Sequence, residues 1–201
     1  MKITKENKTT FFLNKEGVKH YAEGRSKIVE IFGKEFIKFL KDKNFKDGKI
    51  LDMGSGTGYL AILLSDAFPD AEIVGVDYSD LMNEYAEDFV RKNNKSTRIT
   101  FVKGDISNLP FEDNSFDALV SLNVLHYVDN MTGVLNEVQR IIKDNGHIAI
   151  SDIRTSLMGL FLSPFRVTYP YKTFRKAFEN SNLMNCTLKK GFFWIDIWSK
   201  K

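Results

Sequence analysis

The chain has 201 residues, 43% of them hydrophobic, with 29 Lys and Arg against 26 Asp and Glu for a net charge of +3. That is apolar material for one core and one domain, and too even a charge balance for a nucleic-acid-binding surface. The single cysteine, Cys186, excludes an internal disulfide and a multi-thiolate metal site, no run approaches the roughly 18 apolar residues of a membrane span, and the polar start Met1 to Lys8 lacks a signal-peptide core. The expectation is a cytoplasmic protein, monomer or homodimer, without metal and without a membrane partner.

In chain order, residues 1 to 16 read as a loose arm around Phe11-Phe12-Leu13. Gly17 to Lys43 has helical spacing through Ile28, Ile31, Phe32, Phe36, Phe39 and Leu40, and its start carries Tyr21, Arg25 and Lys27 as solvated surface or as a lid. A first strand, Lys49-Ile50-Leu51, runs into Gly54, Gly56 and Gly58 and then a helix from Tyr59. Glu72 to Asp77 is a second strand, Ser79-Asp80 caps a helix to about Asn93, and Arg98 to Lys103 is a third strand closed by Gly104-Asp105. Ser115 to Leu122 is a fourth strand, and Asn130 to Lys143 a helix stopped by Asp144-Asn145-Gly146. His147 to Asp152 is a fifth strand, and Arg154 to Tyr171 an insertion of mixed aromatic and basic character. A helix over Lys172 to Asn182 and two antiparallel strands, Asn185 to Lys190 and Phe192 to Ser199, end the chain.

The alternation of strand and helix predicts a doubly wound, mostly parallel α/β sheet of seven strands, the last pair an antiparallel hairpin, in a single domain. Three spaced glycines between a strand and a helix let a ligand approach the backbone and place it at a helix N-terminus, so the loop reads as a nucleotide-type site. Asp77 lies nineteen positions past Gly58, where a strand-end carboxylate can accept from both ribose hydroxyls. Strand ends at Gly54, Asp77, Gly104-Asp105 and Leu122-Asn123 would line one crevice for an amino-acid-like tail, a ribose and an adenine. Met82, in the first turn of its helix, is either core or a contact for a flat ring.

On Leu51 to Gly58, Val76-Asp77-Tyr78-Ser79 with Met82, Gly104 to Asp117, Ser121 to Asp129 and Arg140 to Asp152, the chain resembles a class I S-adenosylmethionine-dependent methyltransferase. The resemblance is to the small-molecule, ubiquinone-biosynthesis-like group, and it covers roughly residues 20 to 152. It implies a Rossmann-like fold and S-adenosyl-L-methionine as cofactor, released as S-adenosyl-L-homocysteine. It places the methionine part of the cofactor on Asp52 and the loop Gly54, Ser55, Gly56 and Gly58, and its ribose on Asp77. Tyr78 and Met82 would flank adenine, with Asp105 and the amide of Ile106 at its exocyclic amine. Asn123 would lie near the sulfonium and Tyr21 over the carboxylate end, with residues 1 to 45 as a lid.

A sulfonium carries a good leaving group, so holding an acceptor in line supplies most of the acceleration, and a base is needed only for a protonated acceptor. His126 is the candidate base, with a structural role as its alternative. Asp152 and Arg154 stand where an acceptor could sit or form a surface pair. Phe161, Phe165, Tyr169 and Tyr171, with Arg154 and Arg166, would give the insertion an aromatic and cationic lining that hints at a compact, anionic acceptor, or serve as a packing or dimer patch. A nicotinamide oxidoreductase is disfavoured by the Gly-x-Gly-x-Gly spacing. A regulatory protein that binds the cofactor without catalysis, or a methyltransferase acting on RNA or protein, are the alternatives.

Overall fold

The computed structural model describes residues 14–95, 97–154 and 168–200, with side chains at 23, 25 and 26 left aside. The first helix, α1 (Lys15–Asp42), is capped by Asn14, whose Oδ1 accepts the Gly17 N–H at 2.7 Å. Then follow β1 (Asp47–Met53), α2 (Tyr59–Ala67), β2 (Asp70–Asp77), α3 (Asp80–Lys92), β3 (Ile99–Lys103) and β4 (Phe116–Leu122). A 3₁₀ turn (Leu125–Tyr127), α4 (Met131–Ile141), β5 (Ile142–Ile153), α5 (Tyr171–Glu179), β6 (Cys186–Lys190) and β7 (Trp194–Ser199) complete the described chain.

The strands form one sheet in the order β3-β2-β1-β4-β5-β7-β6. β1 to β5 are parallel, and β7 runs antiparallel between β5 and β6. Alternate residues divide between its faces. Ile50, Ile73, Ala118, Val120 and Ala149 join α1, α2 and α3 through Phe36, Leu40, Leu60, Leu64 and Val90. Leu51, Val74, Val76, Leu119, Ile148 and Ile150 join α4 and α5 through Val134, Leu135, Val138, Phe174 and Ala177. Both faces are covered, which is why the inner strands read as nearly continuous apolar runs.

Three boundaries differ from the sequence reading. The fourth-strand helix ends at Ile141, not Lys143, because the Asn114 and Ser115 N–H groups take the carbonyls of Arg140 and Ile141 at 2.9 and 2.8 Å. Residues 143–146 then belong to β5 as an irregularity, Phe116 pairing with Ile142 and Ala118 with His147. α5 stops at Glu179, where the Asn180 N–H returns to the Lys176 carbonyl. The last strand starts at Trp194, since Phe192 and Phe193 form the apex of the hairpin, closed by Gly191 N–H donating to the Trp194 carbonyl at 2.9 Å. The arm over residues 1 to 13, the Arg25 side chain, and Phe161, Phe165 and Arg166 lie outside the described residues.

Candidate active site

β1 and β4 are neighbours whose chains continue toward opposite edges of the sheet, so their carboxyl ends mark the switch point where such folds bind ligands. The glycine loop leaves β1 there, with φ of 76° at Gly54, 51° at Gly56 and 76° at Gly58. A Cβ on Gly54 would stand 2.2 Å from Val124 Cγ2, so the loop and the segment after β4 touch only because that side chain is missing. At Gly56 a Cβ would meet only Tyr21 Cε1 at 3.8 Å, leaving a cradle of bare backbone facing the start of α1. The Gly54 and Ser55 N–H groups donate to the Val76 carbonyl at 2.8 and 3.0 Å, and Gly56 N–H to Asp77 Oδ2 at 3.0 Å. The loop is thus pinned to the end of β2 before any ligand arrives.

Asp52 occupies the position before this loop, 1% exposed. Burial, reinforced by repulsion from Asp77, pushes its carboxyl up to about 7. Its Oδ2 and the Oδ1 of buried Asn123 have no hydrogen-bond partner among the described residues. Both line one small cavity, of about 30 Å³, together with Tyr21, Gly54, Ser55 and Gly56. Two buried acceptors without donors are a costly arrangement unless a donor, best a cation, comes between them. Asn123 itself adopts φ 61°, a strained conformation for a side chain other than glycine, and its N–H extends the sheet to the Ser151 carbonyl at 2.9 Å. Ser55 offers the cavity its backbone, since its hydroxyl is turned against Gly75, 2.8 Å from where a Cβ there would stand.

Asp77 ends β2. Burial raises its carboxyl above the ordinary range, and the N–H groups of Ser79, Gly56 and Tyr78 act in the opposite direction. Ser79 N–H reaches Oδ1 at 2.9 Å and Gly56 N–H reaches Oδ2 at 3.0 Å, so both oxygens are held by backbone donors. Tyr78 follows, 60% exposed, while Met82 is buried in the first turn of α3. Asp105, exposed after β3, holds the Ser107 N–H at 2.8 Å, and Ile106 beside it is buried against the α4 face of the sheet. These residues form the rim of the crevice over β2 and β3. Gly58 caps α2 from the left-handed region, so the free amides of that helix start at the loop.

On the other side of Asn123, the 3₁₀ turn carries His126. Its Nδ1 lies 2.6 Å from Asp152 Oδ1, and its backbone N–H donates to Asp152 Oδ2 at 3.2 Å. Both groups are buried, so Asp152 is neither a free acceptor-side carboxylate nor a surface partner of Arg154. Arg154 is drawn away to the hairpin, its Nε on the Gly191 carbonyl at 2.9 Å and its Nη2 on the Phe192 carbonyl at 2.6 Å. Sequence reasoning also missed Arg140, which reaches Glu137 through Nε and Nη2 at 2.9 and 2.7 Å and holds the carbonyls of Phe111 and Leu109 at 2.7 and 3.0 Å. It ties α4 to the loop beyond Asp105. The spacing of Glu137 and Arg140, three apart on one helix face, was the available signal.

A wider open depression, about 700 Å³, lies at the opposite end of the sheet beside Asn44, Asn114 and His147. Its Lys143 is engaged by Asp117 at 2.7 Å, and the five parallel strands all direct their carboxyl ends away from it.

A family profile described as a methyltransferase domain matches residues 44–199 of the chain. The chain belongs to this methyltransferase family. It is 33% identical over 114 residues to a demethylmenaquinone methyltransferase of Bacteroides fragilis, covering 56% of this chain and 46% of that protein. It is 30% identical over 129 residues to a sterol 24-C-methyltransferase of Pneumocystis carinii, covering 55% of this chain and 34% of that one. The chain thus spans less than half the length of these relatives. A crystal structure of a proposed S-adenosyl-L-methionine-dependent methyltransferase from Methanococcus maripaludis superposes with a TM-score of 0.77 at 25% identity, over 94% of each chain. The Rossmann-like methyltransferase fold and the class I small-molecule kinship read from the motifs are borne out. Among the described residues no helix is long and apolar enough to cross a membrane.

Proposed function

We propose that this methyltransferase-family protein transfers a methyl group from S-adenosyl-L-methionine to a small, largely apolar acceptor. The observation that carries the reading is the pair of buried, donor-less oxygens, Asp52 Oδ2 and Asn123 Oδ1, facing the bare backbone at Gly56. An α-ammonium between them would satisfy both, and the negative charge left on Asp52 would match it. Asp77, a carboxylate at the end of β2 beside the glycine loop, suits two vicinal hydroxyls. Tyr78, Met82, Asp105 and the Ile106 amide would take the adenine, and Tyr21 would close the amino-acid end.

The cofactor, when bound, supplies an activated methyl group on a sulfonium. The protein's part is to hold the tail and ribose so that the reactive end points toward Asn123 and the 3₁₀ turn, and to keep water out. His126 is the base for an acceptor that must lose a proton. Asp152 accepts the Nδ1 proton of its ring in this reading and so fixes the orientation of the imidazole. The quinone and sterol methyltransferase names of the relatives favour an apolar acceptor over RNA or protein.

The test is incubation with methyl-labelled cofactor and separated metabolite, lipid, RNA and protein pools. Label in a small molecule or lipid supports the reading. Label confined to RNA or protein overturns the acceptor class, and binding with no label in any pool favours the non-catalytic alternative.

A further inference from the structure

The β6–β7 turn breaks the usual chemistry of tight turns. Two-residue hairpins favour Asn, Gly or Asp at the apex, where the chain is exposed and sharply bent. Here the apex is Phe192-Phe193, and Phe192 is 69% exposed. The two rings pack edge to face with centroids 4.6 Å apart. Arg154 clamps the apex from the end of β5: its N–H donates to the Phe193 carbonyl at 2.9 Å, and its guanidinium to those of Gly191 and Phe192. An exposed aromatic apex whose three successive carbonyls are held by one arginine is a presented group, and departures of this kind cluster at functional positions.

The surroundings of the tip are basic. Lys189 and Lys190 precede it on β6, both exposed, and Lys190 Nζ lies 5.4 Å from the centroid of the Tyr171 ring, beside exposed Lys172. Asp196 stands across from Lys189 and interacts with its charge while accepting from the Ser151 hydroxyl at 2.5 Å, so Lys190 and Lys172 carry most of the uncompensated charge beside the tip. The tip pairs with the carboxyl end of β5, Ile153 against Trp194, one register step from Asp152. It therefore projects from the end of the sheet that carries the candidate active site.

We propose that the Lys189-Lys190-Gly191-Phe192-Phe193 tip docks the protein on the surface of an anionic lipid bilayer. Aromatic rings prefer the depth of the headgroups, and lysines beside them are attracted to anionic lipids. The sequence argued against a membrane partner because nothing spans a bilayer, but a hairpin tip can bind one without spanning. The docked orientation turns the mouth beyond Asn123 toward the lipid. The docking itself does not depend on the methyl-transfer reading.

The experiment is co-sedimentation of the full chain with vesicles of phosphatidylcholine alone and of phosphatidylcholine mixed with phosphatidylglycerol. Binding should require the anionic lipid and weaken with added salt. Phe192→Ala should reduce it about tenfold, and Lys190→Gln or Lys172→Gln about fivefold each. Circular dichroism and affinity for S-adenosyl-L-homocysteine should stay at the wild-type values in all three. No binding to anionic vesicles, equal binding to neutral ones, or wild-type binding by Phe192→Ala would each overturn the proposal. So would ultracentrifugation showing a dimer that Phe192→Ala dissolves, since the tip would then be a self-association surface.

Discussion

Replacing Asp52 by Asn should stabilise the protein at pH 8 while weakening cofactor binding. The Asp52 carboxyl is fully buried beside a second carboxyl, and its folded value of about 7 stands some three units above the ordinary 3.8. For an acid whose folded value is raised, the native state holds the proton longer than the unfolded chain. Stability is therefore lost as pH rises from about 4 to about 7, and the full cost is present above that. At about 1.4 kcal/mol per unit the ceiling is about 4 kcal/mol at pH 8. The amide removes the charge and its repulsion by Asp77 but leaves an unpaired NH₂, which costs about 1–3 kcal/mol. A net gain of about 1–3 kcal/mol is expected, a few degrees in Tm for a domain of this size. At pH 5 only about 1.6 kcal/mol of that cost has accrued, which the penalty of the unpaired amide offsets, so the advantage should vanish. The assay is thermal unfolding of both proteins at pH 5 and pH 8, and their difference cancels the opposite trend from Asp117 and Glu137, whose values are lowered by their basic partners. A variant less stable than wild type by the same margin at both pH values would refute the reasoning.

Gly54→Ala should cost about 2–4 kcal/mol in urea unfolding, from a left-handed φ and the clash with Val124. Gly56→Ala should cost only about 1 kcal/mol yet weaken S-adenosyl-L-homocysteine binding more than tenfold, because its methyl fills the cradle; equal effects of the two on stability would contradict the geometry. Arg140→Lys keeps the charge but loses the forked contacts to Glu137, Phe111 and Leu109, and should lower stability by about 1–2 kcal/mol, measured by the same unfolding. Proton NMR should show a strongly downfield imidazole N–H for His126 that Asp152→Asn removes; the same resonance in the variant would rule out the pairing.

The side of the molecule around the glycine loop was largely legible because its signals are local. Glycines, the strand-end Asp77 and the caps at Ser79 and Asn130 declare themselves within a few residues, and the periodicity of the strands fixes which neighbours face α1. The side beyond Asn123 was not, because its contacts are made between distant segments. Nothing adjacent to His126 announces that Asp152, 26 positions away, will hold its ring. Arg154 looked like a cation for a ligand until the carbonyls of Gly191 and Phe192 took it. Phe192-Phe193 continued the apolar alternation of a strand, and only the Gly191–Trp194 pairing turns them into an apex. Residues 143–146 carry strong helix-stop chemistry, but pairing across β4 ended the helix two residues earlier. Asp77, proposed for the ribose, also anchors the Gly56 amide, a task its sequence position did not announce.

Isothermal titration of S-adenosyl-L-homocysteine into the protein at pH 8 and pH 6, with NAD as the control, tests the central claim most directly. The account predicts one site of micromolar affinity at pH 8, weaker at pH 6 where Asp52 holds a proton, and no heat from NAD. Binding of NAD, or no binding of the homocysteine compound at either pH, would contradict it.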